Sequence, residues 1–196
     1  LIIDSVKVDG QVVSLTRLTS TFSIPVDPAR SFGSTMVLDV FYRGQPFNSG
    51  FGSFTFWQHS TPSVPWVWTL SEPYGAPDWW PCKDNPADKA DSLDVWITCN
   101  ENFKAGSQGK LISVISDGLG NRTYHWKHRY PISSYLVSLA LTNYAEFSDW
   151  FKYSPSDSME ILNYVLPFDS AVARPQLAQT VPMLEIFYNL YGLYPF

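Results

Sequence analysis

Apolar and polar positions alternate along most of the first two thirds of the chain. The run "IIDSVKVDG" (residues 2–10) alternates into a glycine turn, and "STMVLDVFYRG" (34–44) does the same up to Gly44. In "DSLDVWITCN" (91–100), Leu93, Val95 and Ile97 share one face. A side-chain period of two with one apolar face is the mark of a half-buried strand. The runs "RTYHWKH" (122–128), "SYLVSLALTNY" (134–144) and "MEILNYVLP" (159–167) repeat it, separated by clusters of Gly, Asn, Asp, Ser and Pro. Together they predict a mainly β fold of the sandwich type. No repeat period is visible, and the longest gap between strands, Gln58 to Asp91, is rich in Pro and Trp. A connection that long within a β domain points to a functional loop.

Near the end the period changes from two to that of a helix. In "DSAVARPQLAQTVPMLEIFYNLYG" (169–192), Met183, Ile186, Phe187 and Leu190 recur at helical spacing, with Asp169 as a possible cap and Gly192 as the stop. Pro182 kinks this helix or delays its start, because proline lacks the N–H donor and crowds the preceding turn. One helix after a β region suggests a boundary at residue 168, with 169–196 beginning a second domain.

Composition narrows the partners. The 196 residues are 45% hydrophobic, 16% aromatic and 16% charged, which describes a core rich in rings rather than a disordered chain. Thirteen basic residues against eighteen acidic ones, with a net charge of -5 and no basic run, argue against nucleic acid as a partner. The longest apolar runs, such as "YLVSLAL", are far shorter than the ~20 residues that span a bilayer, so no membrane-spanning helix is expected. The first residues have none of the features of a signal peptide, and the compartment is left open. Cys82 and Cys99 lack partners at metal-ligand spacing and are expected as two free, half-buried thiols.

Several candidate chemistries fail on spacing. His125 and His128 lie three apart with no Glu between them, and on a strand they face opposite sides, so a zinc pair is not expected there. His59 stands alone. "FNSGFGSF" has glycines but no helix after it, and is expected as a hairpin or bulge rather than a phosphate cradle. "NRT" (121–123) fits the glycosylation pattern, a weak signal. In "PDWWPCKDNPADKAD" (77–91), the four aspartates Asp78, Asp84, Asp88 and Asp91 lack the alternation and central glycine of a calcium loop. The stronger expectation is a rigid turn in which Asp84 bonds turn amides, Lys89 pairs with a carboxylate, Cys82 packs, and Trp79 and Trp80 cover the edge of the core.

The run "SEPYGAPDWWPCKDNPADKAD" (71–91) resembles the N-terminal β domain of aminopeptidase N family zinc metallopeptidases, whose Pro-Cys-x-Asp-x-Pro turn is matched by Pro81, Cys82, Asp84 and Pro86, with Lys89 following. "YPISSYLVSLALTNYAEFSD" is similar to a strand of that family, and "FYNLYGLYPF" to its helix leading into the catalytic domain. The resemblance runs from about Trp68 onward. It implies a saddle-like β-sandwich over 1–168 and a C-terminal helix, within 169–196, that begins the catalytic domain. It also implies that the GxMEN and HExxH motifs follow Phe196, so that the fragment itself is catalytically silent and binds no cofactor, while its parent protein is a zinc aminopeptidase. The implied partners are its own catalytic domain and the N-terminus of a peptide substrate.

One substrate-binding residue follows from the resemblance. Counting back from the Pro-Cys turn puts Glu72 where the family's acidic or amide residue reaches the substrate's free α-amine. A carboxylate in a poorly solvated cleft would hold an ammonium through a charge-assisted hydrogen bond. Read from the residues alone, Glu72 is equally an exposed loop acid before Pro73. The chain departs from the family pattern at Leu70, where glutamine is usual, and at Ala76-Pro77, where Ala-Arg is usual. A rival function stands beside this one: a non-catalytic β-sandwich module binding carbohydrate or peptide, suggested by eight tryptophans and eleven tyrosines.

Overall fold

A computed structural model describes residues 1–60 and 63–196. Its chain divides into two compact units, each assembled from separated segments.

The first unit comprises residues 1–55, 69–92 and 130–138. Strand β1 (Ile2–Val8) pairs antiparallel with β2 (Gln11–Val13) and with β5 (Leu38–Arg43). The β1–β2 turn is Asp9-Gly10, and both residues have positive φ, 48° and 81°. That matches the twist of a two-residue hairpin, for which Asp-Gly is a preferred pair. Between β2 and β5 lies the small ladder of β3 (Thr16–Arg17) and β4 (Phe22–Ser23). Val6 and Ala76 are fully buried, and Val8, Phe54, Ile132 and Val137 nearly so.

The second unit comprises 56–68, 93–129 and 139–196. One sheet has the order β10 (Lys110–Ser116), β11 (Asn121–His128), β8 (Leu93–Asn100). Another runs β6 (Thr55–His59), β7 (Val64–Trp68), β12 (Ala140–Thr142), β9 (Lys104–Gly106). A third is the long hairpin of β13 (Ala145–Lys152) and β14 (Ser158–Val165). Buried Ala105, Tyr124 and Trp126 form the core, with Val95, Ile97, Cys99, Leu111, Leu141, Leu162 and Tyr164 packed against them. The polar tips of the two rings are satisfied by backbone: Trp126 Nε1 donates to the Ala105 carbonyl at 2.9 Å, and the Tyr124 hydroxyl to that of Phe103 at 3.1 Å. Burying a side chain such as Phe151, 1% exposed on β13, contributes about 1.5–3 kcal/mol.

The mainly β expectation is met. Three local expectations are corrected. The segment 134–144 is not one strand: it makes a 3-10 turn at Ser134–Leu136, and only Ala140–Thr142 is extended. The hydroxyl of Ser133 donates to the Pro86 carbonyl at 2.7 Å and fixes that turn's start. The gap 58–91 contains β7, whose Pro65 lies within the strand. Residues 47–54 are neither hairpin nor bulge but a tight turn, with the N–H groups of Gly52 and Ser53 both donating to the Ser49 carbonyl.

The helical segment divides in two, α1 (Ser170–Leu177) and α2 (Thr180–Tyr191). Pro182 sits in the first turn of α2, where a missing N–H costs nothing, so the delayed start is the form taken. Asp169 occupies the cap position of α1 without bonding through its side chain. Gly192, at φ 86°, ends α2. The Arg174 guanidinium of α1 lies 4.3 Å from the ring centre of Phe147, and Tyr188 of α2 meets Phe151 edge-on. No helix of the described residues is long and apolar enough to cross a membrane.

Candidate functional site

Glu72 occupies an exposed tip of three residues, Glu72, Pro73 and Tyr74, held at both ends by buried ones. On one side Ser71 is 2% exposed; on the other Gly75 is buried and Ala76 is fully covered. The Gly75 N–H donates to the Ser71 carbonyl at 2.7 Å and closes the turn. The Ser71 hydroxyl donates to the Ser53 carbonyl at 3.1 Å and accepts from Trp79 Nε1 at 2.9 Å. Beside it, the Leu70 N–H donates to the Gly52 carbonyl at 3.2 Å. The Glu72-Pro73 peptide is cis.

Asp78 ties this base together. Its carboxylate accepts the hydroxyls of Ser49 and Ser53, and its carbonyl accepts the Phe47 N–H at 3.2 Å. Ser53 Oγ in turn accepts the Ser49 N–H at 3.0 Å. The glycine at 75 is demanded by space: a Cβ there would lie 2.6 Å from that of Ser53. Three segments, 47–53, 70–71 and 75–79, thus form a cross-linked floor under a short acidic tip.

The Pro81–Lys89 turn follows directly. Pro81, Cys82 and Pro86 are half-buried, while Asp84 and Lys89 are exposed. The turn amide expected to bond Asp84 is taken by Asn85, whose Oδ1 accepts from the Ala87 N–H at 3.1 Å. The ion pair expected of Lys89 is made by Lys83, with Asp88 at 2.7 Å. Ala90 and Ile132 then exchange backbone hydrogen bonds of 3.0 and 2.9 Å and anchor the turn's far end. Burial, then the charge of Asp84, pushes the Cys82 thiol up to about 11. Burial and the nearby Asp78 raise the Asp84 carboxyl, and burial followed by Cys82 raises the Tyr42 hydroxyl. A thiol held neutral in this way packs rather than attacks. Trp79 and Trp80 are half-buried, with Trp79 against Phe54 at 5.8 Å, as core-edge packing requires.

His59 and His125 are engaged in hydrogen bonds within the fold. His59 bonds Thr142 Oγ1 at 2.9 Å through Nε2 and Ser60 Oγ at 2.7 Å through Nδ1. His125 is not a free surface histidine: its Nε2 donates to Asp94 Oδ1 at 2.7 Å, and its ring stacks on Trp96 at 4.4 Å. Among the described residues no group of three or more His, Cys, Asp or Glu side chains could hold a metal ion. Sequence reasoning missed the Ser49–Ser53–Asp78 clamp and the Asp94–His125–Trp96 array. "NSGFGS" was a signal for the first; the second could be seen only in the strand register.

The sequence profile of the Peptidase M1 N-terminal domain matches residues 2–136. The chain belongs to that family. Among solved structures, the M1 domain is similar to an M1 zinc metallopeptidase from Deinococcus radiodurans, with a TM-score of 0.79 and 20% identity. It is equally similar, at 0.79 and 20%, to a mutant of the Deinococcus radiodurans enzyme bound to a Tyr-Ser-Ala substrate. A two-domain M1 zinc metallopeptidase mutant bound to L-arginine matches at 0.77 and 19%. In each case 99% of this chain and 44% of the other is covered, so the M1 domain spans less than half the length of these proteins. At such identity the likeness establishes the fold. No curated protein matches the sequence.

Proposed function

We propose that this M1 domain is the non-catalytic N-terminal part of a zinc aminopeptidase, and that Glu72 forms the wall of its cleft that binds the substrate's α-amine. Residues 1–168 form the domain and 169–196 lead into the catalytic domain, its intramolecular partner. The zinc belongs to residues of the longer protein, where it would supply an activated water. This chain's own residues hold one end of the peptide.

The observation that carries this reading is the mounting of Glu72. An exposed carboxylate on a three-residue tip, above a floor fixed by Ser53, Ser71 and Asp78, is positioned at little entropic cost when it meets an ammonium. The Pro81–Lys89 turn follows that floor directly in the chain. The exposed stripe of Met183, Ile186, Phe187 and Leu190 on α2 supports the intramolecular packing on a catalytic domain, since an apolar face of that kind calls for a cover.

The test is Glu72→Gln in the full-length protein. A hydrogen bond to a charged group contributes about 1.5–3 kcal/mol, so kcat/KM for peptides with a free N-terminus should fall roughly 10- to 100-fold. Thermal stability should stay within about 1 °C, because an exposed tip carries little of the fold. An unchanged kcat/KM would remove Glu72 from the site.

A further inference from the structure

The outer face of the β8–β11 pair carries an aromatic array that the peptidase reading does not use. Trp96 and His125 are directly opposite in the ladder. Their rings stack with centres 4.4 Å apart and planes 11° from parallel, yet Trp96 is still 62% exposed. The stack is fixed from below. His125 Nε2 donates to one oxygen of Asp94 at 2.7 Å, and Arg129 Nη2 donates to the other at 2.6 Å. Arg129 Nη1 is tethered to the carbonyls of Leu93 and His128 at 3.2 and 3.1 Å.

This chain of contacts adds nothing to the core, which lies on the opposite face with Val95, Ile97, Tyr124 and Trp126. Its effect is to immobilise an exposed indole. A ring already held in place loses little freedom when a ligand covers it, which is what a binding platform needs. Two residues along β8, roughly 7 Å away at strand spacing, Thr98 faces Thr123 with their hydroxyls 2.9 Å apart.

The surrounding charge selects the ligand. Asp94 has both oxygens engaged and offers no anion to a cation, while Lys127, opposite Asp94 in the ladder, and Arg129 would repel one. A flat apolar surface bordered by hydroxyls and N–H donors fits a neutral ring that is apolar on its face and hydroxylated at its rim. We propose that this face is a saccharide-binding site, with Trp96 stacking on a sugar ring and Thr98 and Thr123 bonding its hydroxyls. The site is independent of Glu72 and compatible with membership of a peptidase family.

Calorimetric titration of the full-length protein with cellotetraose and with chitotetraose tests this. Binding should be detected with at least one of them, weakened at least tenfold by Trp96→Ala and severalfold by Asp94→Ala, which keeps the indole but removes the acceptor that holds His125. Trp57→Ala, another exposed tryptophan, should leave it unchanged. Should Trp96→Ala fail to fold, Trp96→Phe replaces it and should give an intermediate loss. Absence of heat with both sugars overturns the proposal, as does equal affinity in the Trp96 variant. Binding of a Tyr-Ser-Ala peptide at Trp96, without sugar binding, would assign the face to peptide and overturn it as well.

Discussion

Gly75→Ala tests the claim that the Glu72 tip rests on a floor with no slack. Gly75 has φ -91° and ψ -4°, the geometry of the third residue of a type I turn, which alanine adopts, so the penalty is chiefly one of space. The new methyl would lie 2.6 Å from Ser53 Cβ and 3.2 Å from both Cα and the carbonyl oxygen of Ser71. Non-bonded carbons settle at about 3.5–4.0 Å, so the overlap with Ser53 is roughly 1 Å. Neither neighbour yields readily: Ser53 is 1% exposed and bonded to Asp78, and Ser71 is 2% exposed and bonded to Ser53 and Trp79. Overpacking costs about 1–3 kcal/mol, and with two unyielding neighbours the upper half, about 2–3, applies; the stiffer unfolded chain returns about 0.4–1, leaving a net loss of about 1–2.6 kcal/mol. For a chain of this size that lowers Tm by roughly 2–10 °C. Urea unfolding at constant m measures it, and Ser53→Gly supplies the second arm of a double-mutant cycle. Removing the facing Cβ should make the double variant less destabilised than the sum by about 1 kcal/mol. A neutral or stabilising Gly75→Ala, or strict additivity with Ser53→Gly, would refute the steric argument.

Two further expectations concern titration. The Asp94 carboxyl is held below its ordinary range by the His125 hydrogen bond and then by that of Arg129. A depressed folded pKa adds stability above the unfolded value, about 3.9, and loses it as pH falls through the folded one. Asp94→Asn should therefore lower the urea midpoint at neutral pH, with the difference from the parent closing below about pH 4; a gap of the same size at both ends would contradict the assignment. Cys82, at about 11 instead of 9.0, carries roughly a hundredfold less thiolate at neutral pH. Its alkylation by iodoacetamide should be about tenfold or more slower than that of glutathione, because the greater nucleophilicity of a high-pKa thiolate offsets part of the hundredfold, and should rise about tenfold per pH unit. A rate comparable to glutathione would mean the thiol is not buried as described.

Strands that meet solvent on one face were legible in the sequence because alternation is the direct imprint of that burial. β1, β5, β8, β11 and β14 all lie in runs where apolar and polar residues largely alternate, broken by short apolar pairs and triplets such as Val95-Trp96-Ile97. The segment 134–144 misled for a physical reason: its apolar residues reflect burial, and burial alone does not select extended backbone. Ser133 and Ser134, both buried, can bond locally, and the hydroxyl of Ser133 bonds the Pro86 carbonyl, 47 residues away. β7 was hidden by Pro65, which argues locally against a strand.

The site divides along the same line. The Pro-Cys turn and the proposal for Glu72 came from matching order and spacing, which need no geometry. The clamp beneath them was not, because Ser49, Ser53 and Asp78 meet across 25 to 29 residues and no local pattern announces a hydroxyl's distant partner. Asp78 shows the consequence. As a sequence position it was one of four aspartates to be tested as metal ligands, whereas in the fold its oxygens are occupied by two serine hydroxyls and it holds the floor on which Glu72 stands. The departures at Leu70 and Ala76-Pro77 fall on this floor: the Leu70 backbone is bonded to Gly52, and Ala76 is fully buried as the first residue of the 3-10 turn Ala76–Asp78. Proline at 77 fits there because the first turn of a helix leaves its N–H positions without intrahelical partners. The substitutions therefore change the side chains beside the tip while the backbone that carries Glu72 is still held from both ends, and that backbone is what would position the Glu72 carboxylate for the proposed amine contact.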